Sequence, residues 1–496
     1  LRWRCIGPFR GGRTVAAAAI PGEPHTFLIG VNHGGVWRTT DAGRTWQPIF
    51  DDQPTGSIGA LAVAPSAPRT IYVGSGEGLQ RPDLSVGDGV YRSDDGGATW
   101  SHRGLADAQQ IPAVAIDPKD PERVFVAALG HPYGANDTRG VYRSLDGGAH
   151  WERVLWRNRD TGAMDVMLAP NDPRTVYAVL WSARQTPWEG PGGSLVRSQD
   201  NGLWRSTDGG DTWKVIGAGL PDTAQGLGRI GIAIAPSRAA RMYAVVGATR
   251  GAGLYRSDDA GLHWDLINSD PRLCERDGDF NEVEVDPRDP EHVIVANVVT
   301  WESRDGGRHF TALRGAPGGD DYHRVVFSPD DPHTLLLAGD QGAVISLNDG
   351  ATWSSWYNQP TAQLFHVNTD DGFPYRVYGG QQESGSVGIL SRGLDGGVSL
   401  RDWRPVGAEE YGYAVPDPRH PDIVYGGKLN RFDARSGDVQ NVTPDPLRDR
   451  DMRWVRTMPV VFSPADPSAL YLGSNRVLRT RDGGRNWRAI SPDLTR

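Results

Sequence analysis

The amino-acid sequence predicts an all-β fold, a β-propeller of about ten four-stranded blades. The main observation is an eight-residue pattern that recurs along the 496 residues of the chain. Short apolar runs lie between its copies, and the chain contains 64 Gly and 36 Pro residues. Helical periodicity is absent, and four short strands with turns between them in each repeat are typical of a propeller blade.

The recurring pattern is a hydroxyl residue, a spacer, an Asp or Asn, a spacer, a glycine, two further positions and an aromatic residue. It occupies residues 39–46, 93–100, 144–151, 206–213, 257–264, 303–310, 346–353 and 480–487. The third position is Asp41, Asp95, Asp146, Asp208, Asp259, Asp305, Asn348 or Asp482. Two eroded copies near 395–403 and 431–442 bring the number of units to ten.

The chemistry of this pattern predicts a structural turn rather than a metal or acid–base site. Asp and Ser or Thr side chains can accept hydrogen bonds from the backbone N–H groups of a hairpin. Glycine supplies the positive φ that the turn requires. The aromatic residue is expected to pack between neighbouring blades.

Composition excludes several classes of protein. The net charge is −9 and no long Lys/Arg cluster occurs, so nucleic acid is not expected as a partner. No apolar stretch reaches the roughly 18 residues of a membrane span, so membrane insertion is not expected either. The chain has 2 Cys residues, too few for a disulfide framework.

These motifs resemble the Asp-box, or bacterial neuraminidase repeat, β-propellers, which include sialidases, xyloglucan-cleaving glycoside hydrolases and sortilin-type receptors. Residues 3–12 (WRCIGPFRGG), 358–363 (NQPTAQ) and 490–495 (ISPDLT) resemble large secreted bacterial proteins labelled "glycosyl hydrolase". Ten units imply one sortilin-type propeller over residues 1–496. The alternative is a seven-bladed propeller followed by part of a second. The resemblance also implies a secreted or periplasmic protein that continues into further Asp-box domains.

The alternation of strands places the repeated turns on one rim of a propeller and the longer loops on the other. Loops on a rigid scaffold are where binding residues concentrate. The candidate catalytic residues on these loops are Asp279, Glu282, Asp321, Glu409 and Glu410. The candidate ligand-binding residues are Arg10, Arg13, Glu77, Arg81, Tyr133, Trp181, Trp188, Tyr322, His323, Arg324, Gln363, His366, Tyr411 and Tyr413.

The sequence leaves three functions open. The main hypothesis is a propeller that binds a peptide or glycan on the face opposite the repeated turns, as the sortilin likeness implies. The first alternative is a glycoside hydrolase acting on a polysaccharide through two carboxyl groups roughly 5–10 Å apart. The second alternative is a structural module of an extracellular assembly.

The motifs of two enzyme groups do not match this sequence. Xyloglucan-cleaving relatives carry an Asp in an Asp-x-Gly-Gly-x-aromatic-Arg stretch of the first blade, and Asn32 stands at that position here. An amide cannot act as a general base. Residues 9–12 fit the Arg-containing opening motif of sialidases poorly.

No metal site or cofactor is predicted, with calcium as a minor alternative at residues 277–281. That segment, DGDFN, resembles the start of a calcium loop, but the twelfth position is Arg288 rather than Glu.

Overall fold

The computed structural model describes residues 4–79, 81, 83–184, 186, 188–189, 200–276, 278–410, 412–444 and 451–495. The chain folds as two compact units, where the sequence analysis expected one propeller over residues 1–496. The larger one, called here the seven-sheet unit, comprises Arg13–Gln185 and Ser194–Asn358. The smaller one, the three-sheet unit, comprises Leu1–Gly12, Thr186–Gly193 and Gln359–Arg496.

Seven antiparallel sheets follow one another along the described residues of the seven-sheet unit, and in each the strands lie side by side in chain order. Sheet 1 comprises Thr14–Ala19, Phe27–Val31, Gly35–Thr39 and Gln47–Pro48. Sheet 2 comprises Ile58–Val63, Ile71–Ser75, Val90–Ser93 and Ser101–His102. Sheet 3 comprises Ala113–Asp117, Asp120–Ala128, Gly140–Ser144 and Glu152–Leu155. Sheet 4 comprises Thr161–Ala169, Asp172–Ser182, Gly202–Ser206 and Lys214–Ile216.

The remaining sheets of this unit continue the same order. Sheet 5 comprises Leu227–Ile234, Met242–Ala248, Gly253–Ser257 and Asp265–Asn268. Sheet 6 comprises Glu282–Val285, Val293–Ala296, Thr300–Ser303 and Thr311–Arg314. Sheet 7 has three strands, Tyr322–Phe327, Leu335–Gly339 and Gly342–Ser346. Single turns of 3-10 helix lie in the connections between sheets at Ala106–Ala108, Thr223–Gln225 and Pro271–Leu273.

The seven sheets form a closed ring. Their first strands contact one another in chain order, and the first strand of sheet 7 contacts that of sheet 1. Phe27 and Ile29 of sheet 1 are buried in one cluster with Leu336 and Ile345 of sheet 7. The β-propeller prediction is thus confirmed, and this unit matches the seven-bladed alternative. The single ring of ten does not form, because sheet 7 already buries its face against sheet 1.

The three-sheet unit accounts for the last three repeats. Sheet 8 comprises Asn368–Thr369, Arg376–Gln381, Gly385–Leu390 and Trp403–Pro405. Sheet 9 comprises Ala414–Asp417, His420–Gly426, Asn430–Asp433 and Asp438–Asn441. Sheet 10 comprises Val460–Phe462, Leu470–Gly473, Val477–Thr480 and Arg488–Ala489. A two-stranded ribbon pairs Trp188–Glu189 with Trp454–Val455, and a 3-10 turn spans Leu400–Asp402. None of the helices in the described residues has the length and apolarity needed to cross a bilayer.

Each repeated turn is held by the same hydrogen bonds. In the third copy, the Ser144 hydroxyl accepts from Gly148 N at 2.8 Å and donates to Asp146 Oδ1 at 2.9 Å. Asp146 Oδ1 also accepts from His150 N at 2.9 Å. The glycines at the fifth position all have positive φ; they are Gly43, Gly97, Gly148, Gly210, Gly261, Gly307, Gly350 and Gly484. The polar residues of the turn therefore satisfy the backbone of the hairpin between the third and fourth strands.

The seventh copy shows why Asn can replace Asp in this turn. Asn348 Oδ1 accepts from the Ser346 hydroxyl at 3.0 Å and from Thr352 N at 2.9 Å. Only an acceptor oxygen is needed at the third position, and an amide supplies one.

Replacing Ser144 by Ala is expected to lower the free energy of unfolding by about 1–2 kcal/mol, because the Gly148 N–H loses its acceptor in a buried place. Urea denaturation measures this change. The matched control is Leu145→Ala in the same turn, whose side chain is 62% exposed and whose loss should cost less than about 0.5 kcal/mol. Equal effects of the two variants would contradict the structural role of the hydroxyl.

Candidate functional site

The centre of the seven-sheet ring is a channel of about 510 Å³. All seven first strands line it, with apolar side chains such as Leu61, Met167 and Val326 forming most of the wall. Pro118, Pro170 and Pro287 line the end of the channel from the turns between first and second strands. Those turns lie on the same rim as the repeated hairpins, because in an antiparallel sheet the turn between the first and second strands and the turn between the third and fourth strands lie at the same end.

The candidate residues lie on the opposite rim, which we call the site face. It is formed by the connections between second and third strands and by those that enter each first strand. Arg13, Asp279 and Asp321 come shortly before first strands, whereas Glu77 and Asp340 follow second strands. This placement agrees with the rim that the strand alternation predicted.

A buried ion-pair network lies at the site face between sheets 1 and 7. Arg13 Nε donates to Asp340 Oδ1 at 2.9 Å, and Arg13 Nη2 donates to Asp340 Oδ2 at 3.0 Å. His323 Nε2 lies 2.6 Å from Asp340 Oδ1. Burial alone raises the pKa of the Asp340 carboxyl, but Arg13 and His323 outweigh burial and hold that pKa well below its usual range. Asp340 is therefore ionised and fixes the Arg13 guanidinium.

Glu77 lies on the loop of sheet 2 and is also buried. Its Oε2 accepts from Asn32 Nδ2 at 2.8 Å, and its Oε1 accepts from Ser85 N at 2.8 Å. Burial raises the pKa of the Glu77 carboxyl to about 7, although Arg13 opposes the shift. Arg81 on the same loop is buried as well, with Asp83 Oδ1 at 3.9 Å from its Nε.

Asp279 and Asp321 bind the two arms of one guanidinium. Arg276 Nη2 donates to Asp279 Oδ2 at 2.6 Å, and Arg276 Nη1 donates to Asp321 Oδ2. Burial and the neighbouring Asp340 charge raise the pKa of Asp321 to about 6, although Arg276 opposes them. Burial also acts to raise the pKa of Asp279, but Arg81 and Arg276 outweigh it and lower that pKa. The two carboxyl groups therefore lie close together with their pKa values displaced in opposite directions.

A second charged cluster lies where the channel meets the site face. Arg324 Nη1 donates to both oxygens of Glu282 at 3.2 Å. Asp165 and Glu284 line the channel beside them. Burial raises the pKa of Asp165 to about 6, and burial together with the Glu282 charge raises that of Glu284 to about 8.

The remaining candidates belong to the three-sheet unit. His366 stacks on Tyr413 with ring centroids 3.9 Å apart. Glu409 Oε1 accepts from Asn430 Nδ2 at 3.4 Å, and Glu410 Oε1 lies 3.9 Å from Arg456 Nη2. Gln363 is buried, Arg10 is half-buried, and Arg453 lies over the Trp188 ring. Tyr411 lies outside the described residues.

Two predicted ligand-binding aromatics belong to the core instead. Trp181 is 3% exposed and is buried with Leu203 and Ile230 between sheets 4 and 5. Tyr322 is buried between sheets 6 and 7, and its hydroxyl donates to the Gly318 carbonyl. Packing replaces the predicted binding role of both, since a ligand cannot reach them. Tyr133 is half-buried and its hydroxyl accepts from Leu84 N, so it joins the loop of sheet 3 to the loop of sheet 2.

Sequence reasoning missed Asp340, Asp165, Glu284 and Arg276. Asp165 was detectable, because a carboxylate interrupts the apolar strand Thr161–Ala169. Asp340 follows directly after the buried strand Leu335–Gly339, a position that also signals a site. In the segment 277–281, where calcium was a minor alternative, Asp277 lies outside the described residues, and the Asp279 carboxylate is bonded to Arg276.

The repeated turn is similar to a known sequence repeat. Residues 91–102 match the model of the BNR/Asp-box repeat. The chain carries Asp-box repeats on a β-propeller. The resemblance drawn from the sequence is therefore confirmed for the Asp-box repeat and for the glycosyl hydrolase-like proteins.

Relatives of this Asp-box propeller include xyloglucanases. Xyloglucanase Xgh74A of Acetivibrio thermocellus is 24% identical over 320 residues, which are 55% of this chain and 35% of that protein. The chain thus matches about a third of the length of this curated relative. A GH74 xyloglucanase from Xanthomonas campestris superposes with a TM-score of 0.58 at 18% identity, over 99% of this chain and 82% of that one. A GH74 enzyme from Niastella koreensis gives a TM-score of 0.55 at 15% identity, over 98% and 80%. At these identities the two structures show a shared fold.

Proposed function

We propose that this protein is a glycoside hydrolase that acts on a polysaccharide at the site face. The observation that carries the proposal is the pair Asp279 and Asp321, two adjacent carboxyl groups with oppositely displaced pKa values. Such separation by environment is how one carboxyl group serves as an acid while its neighbour stays ionised. The xyloglucanase relatives support a glycan as the substrate.

Each carboxyl group has one role in the proposed reaction. Asp321 in its protonated form donates its proton to the glycosidic oxygen as the bond from that oxygen to the anomeric carbon breaks. Asp279 in its ionised form accepts a proton from the water that adds to the anomeric carbon. The substrate displaces the Arg276 side chain, which is 38% exposed, from between the two carboxyl groups.

The proposed reaction does not use the position at which xyloglucan-cleaving enzymes carry an Asp in the first blade. Asn32 occupies that position and donates its amide hydrogen to Glu77. We therefore propose a polysaccharide as the substrate class and treat xyloglucan as the first polymer to test.

A second candidate is the propeller that binds a peptide or glycan without turnover. The position of Arg276 favours this candidate. Arg276 bridges the carboxyl groups of Asp279 and Asp321, so in this arrangement the three side chains can offer polar contacts to a ligand rather than catalyse its cleavage. Binding and turnover are separated by one experiment.

That experiment is a screen of plant and bacterial polysaccharides for release of reducing ends, with binding of the same polymers measured by calorimetry. Turnover supports the hydrolase. Saturable binding without turnover favours the binding propeller. If neither binding nor turnover is detected, both candidate functions are overturned and the structural module remains.

We also propose that the protein is secreted and works beside further Asp-box domains of the same polypeptide. A polysaccharide that the cell does not make itself is too large to enter it, so a hydrolase of such a polymer must meet it outside. The chain matches 35% of the length of the Acetivibrio relative, which leaves room for such domains. Detection of the protein in the culture medium tests the first point, and its retention within cells would contradict it.

A further inference from the structure

A small cavity of about 40 Å³ lies where the channel of the seven-sheet unit meets the site face. A cavity of this size accommodates roughly one ion with a water molecule and excludes a sugar ring. Its charged lining residues are Glu77, Asp165, Asp279, Glu282, Arg229 and Arg324.

One oxygen in this lining has no donor. Asn281 is 3% exposed, and its Nδ2 donates to the Arg229 carbonyl at 2.7 Å. That bond fixes the orientation of the amide, because turning it over would place two acceptor oxygens against each other. Asn281 Oδ1 is left buried without a hydrogen-bond partner among the described residues. A buried acceptor in this state costs free energy unless a cation or donor fills the place.

Asn281 is also held rigidly. Its backbone packs against Gly231 of sheet 5, where a Cβ atom would lie 1.4 Å from the Asn281 carbonyl oxygen. The residue therefore presents its side-chain oxygen from a fixed backbone position, as a preformed ligand does.

Most of the carboxyl groups that line the cavity already have a guanidinium partner. Arg13 Nη1 lies 3.9 Å from Glu77 Oε2, and Arg276 Nη2 donates to Asp279 Oδ2 at 2.6 Å. Arg324 is paired with Glu282, whereas Arg229 Nη1 donates to the backbone carbonyl of Asp279 at 2.7 Å. Asp165 accepts from Val166 N and has no ion pair within the described residues. Asp165 and Asn281 thus offer oxygen atoms that a cation could bind without breaking an ion pair.

We propose that this cavity binds a divalent cation through Asn281 Oδ1 and the carboxylates of Asp165 and Glu282. All of these ligands are oxygen atoms, the donors that Ca²⁺ and Mg²⁺ prefer. Ca²⁺ tolerates irregular coordination, so it is the cation expected here. The set differs from the calcium loop considered at residues 277–281, because Asp165 comes from sheet 4. The proposed ligands differ from the two carboxyl groups proposed for glycan hydrolysis, and they join sheets 4 and 6 across the channel.

Calorimetric titration of chelator-treated protein with CaCl₂ alone tests the proposal. We expect one saturable site with a dissociation constant of at most about 1 mM and a higher melting temperature in Ca²⁺. Asp165→Asn keeps the shape of the side chain, removes one charge and should weaken Ca²⁺ binding about tenfold.

Asn281→Asp retains the ligand oxygen and provides a second variant, in which binding should be kept or strengthened. The matched control is Asp349→Asn on the rim of the Asp-box turns, where the carboxylate is bonded to His333 and affinity should not change. Absence of saturable binding, or the same affinity in Asp165→Asn as in the parent protein, would overturn the proposal.

Discussion

Replacement of Asp321 by Asn is expected to lower kcat on the polysaccharide by about 10²–10⁴-fold, the usual contribution of a general acid. The amide keeps the shape of the side chain but has no acidic proton to give to the leaving oxygen. Reducing-end assays at saturating substrate measure the loss. The control is Asp349→Asn on the opposite rim, which should retain full activity.

The pH profile gives this prediction a second readout. The acid must be protonated to act, and the pKa of Asp321 is about 6. Activity should therefore fall as the pH rises through about 6 in the free enzyme, and that limb should be absent from the residual activity of Asp321→Asn. A variant with unchanged kcat and an unchanged profile would show that Asp321 is not the acid.

Replacement of Asp340 by Asn should lower the free energy of unfolding by about 3 kcal/mol, because it leaves the buried charge of Arg13 without its main partner. Arg13 is 1% exposed, so water cannot replace the lost carboxylate. The midpoint of urea unfolding measures the loss, and Asp349→Asn, a change at an exposed ion pair, should cost less than about 0.5 kcal/mol.

Acid titration distinguishes the contribution of the Arg13–Asp340 ion pair to stability from a contribution of side-chain packing. The folded-state pKa of Asp340 is depressed, so its contribution to stability is present above the unfolded pKa of roughly 4 and is lost as the pH falls below it. The stability of Asp340→Asn should therefore change less on acidification than that of the parent protein. Equal urea midpoints at neutral pH would mean that Glu77 alone compensates Arg13.

The sheets could be predicted from the sequence because the Asp-box turn is local. Ser144, Asp146 and Gly148 are all within one hairpin, so their hydrogen bonds follow from spacing alone. Ring closure is not local. It depends on how Phe27 of sheet 1 and Leu336 of sheet 7, about 300 residues apart, bury each other, and no repeat spacing contains that information.

The same distinction applies to the site. The rim that carries the site could be predicted, since the alternation of strand directions assigns each connecting loop to one of the two rims of the propeller. The roles of Trp181 and Tyr322 could not, because their burial depends on side chains of the neighbouring sheets. Asp279 and Asp321 were selected as loop carboxylates, but their shared partner Arg276 becomes visible only when sheets 6 and 7 are side by side.

Among the described residues, each sheet of the seven-sheet ring takes its strands from one stretch of the chain, and no strand is exchanged between the first sheet and the last. Sheets 7 and 1 are therefore joined by apolar packing and by the Arg13–Asp340 ion pair, without a shared strand among the described residues. Amide hydrogen exchange should therefore show the ring opening first between the two neighbouring sheets that bury the least apolar area against each other.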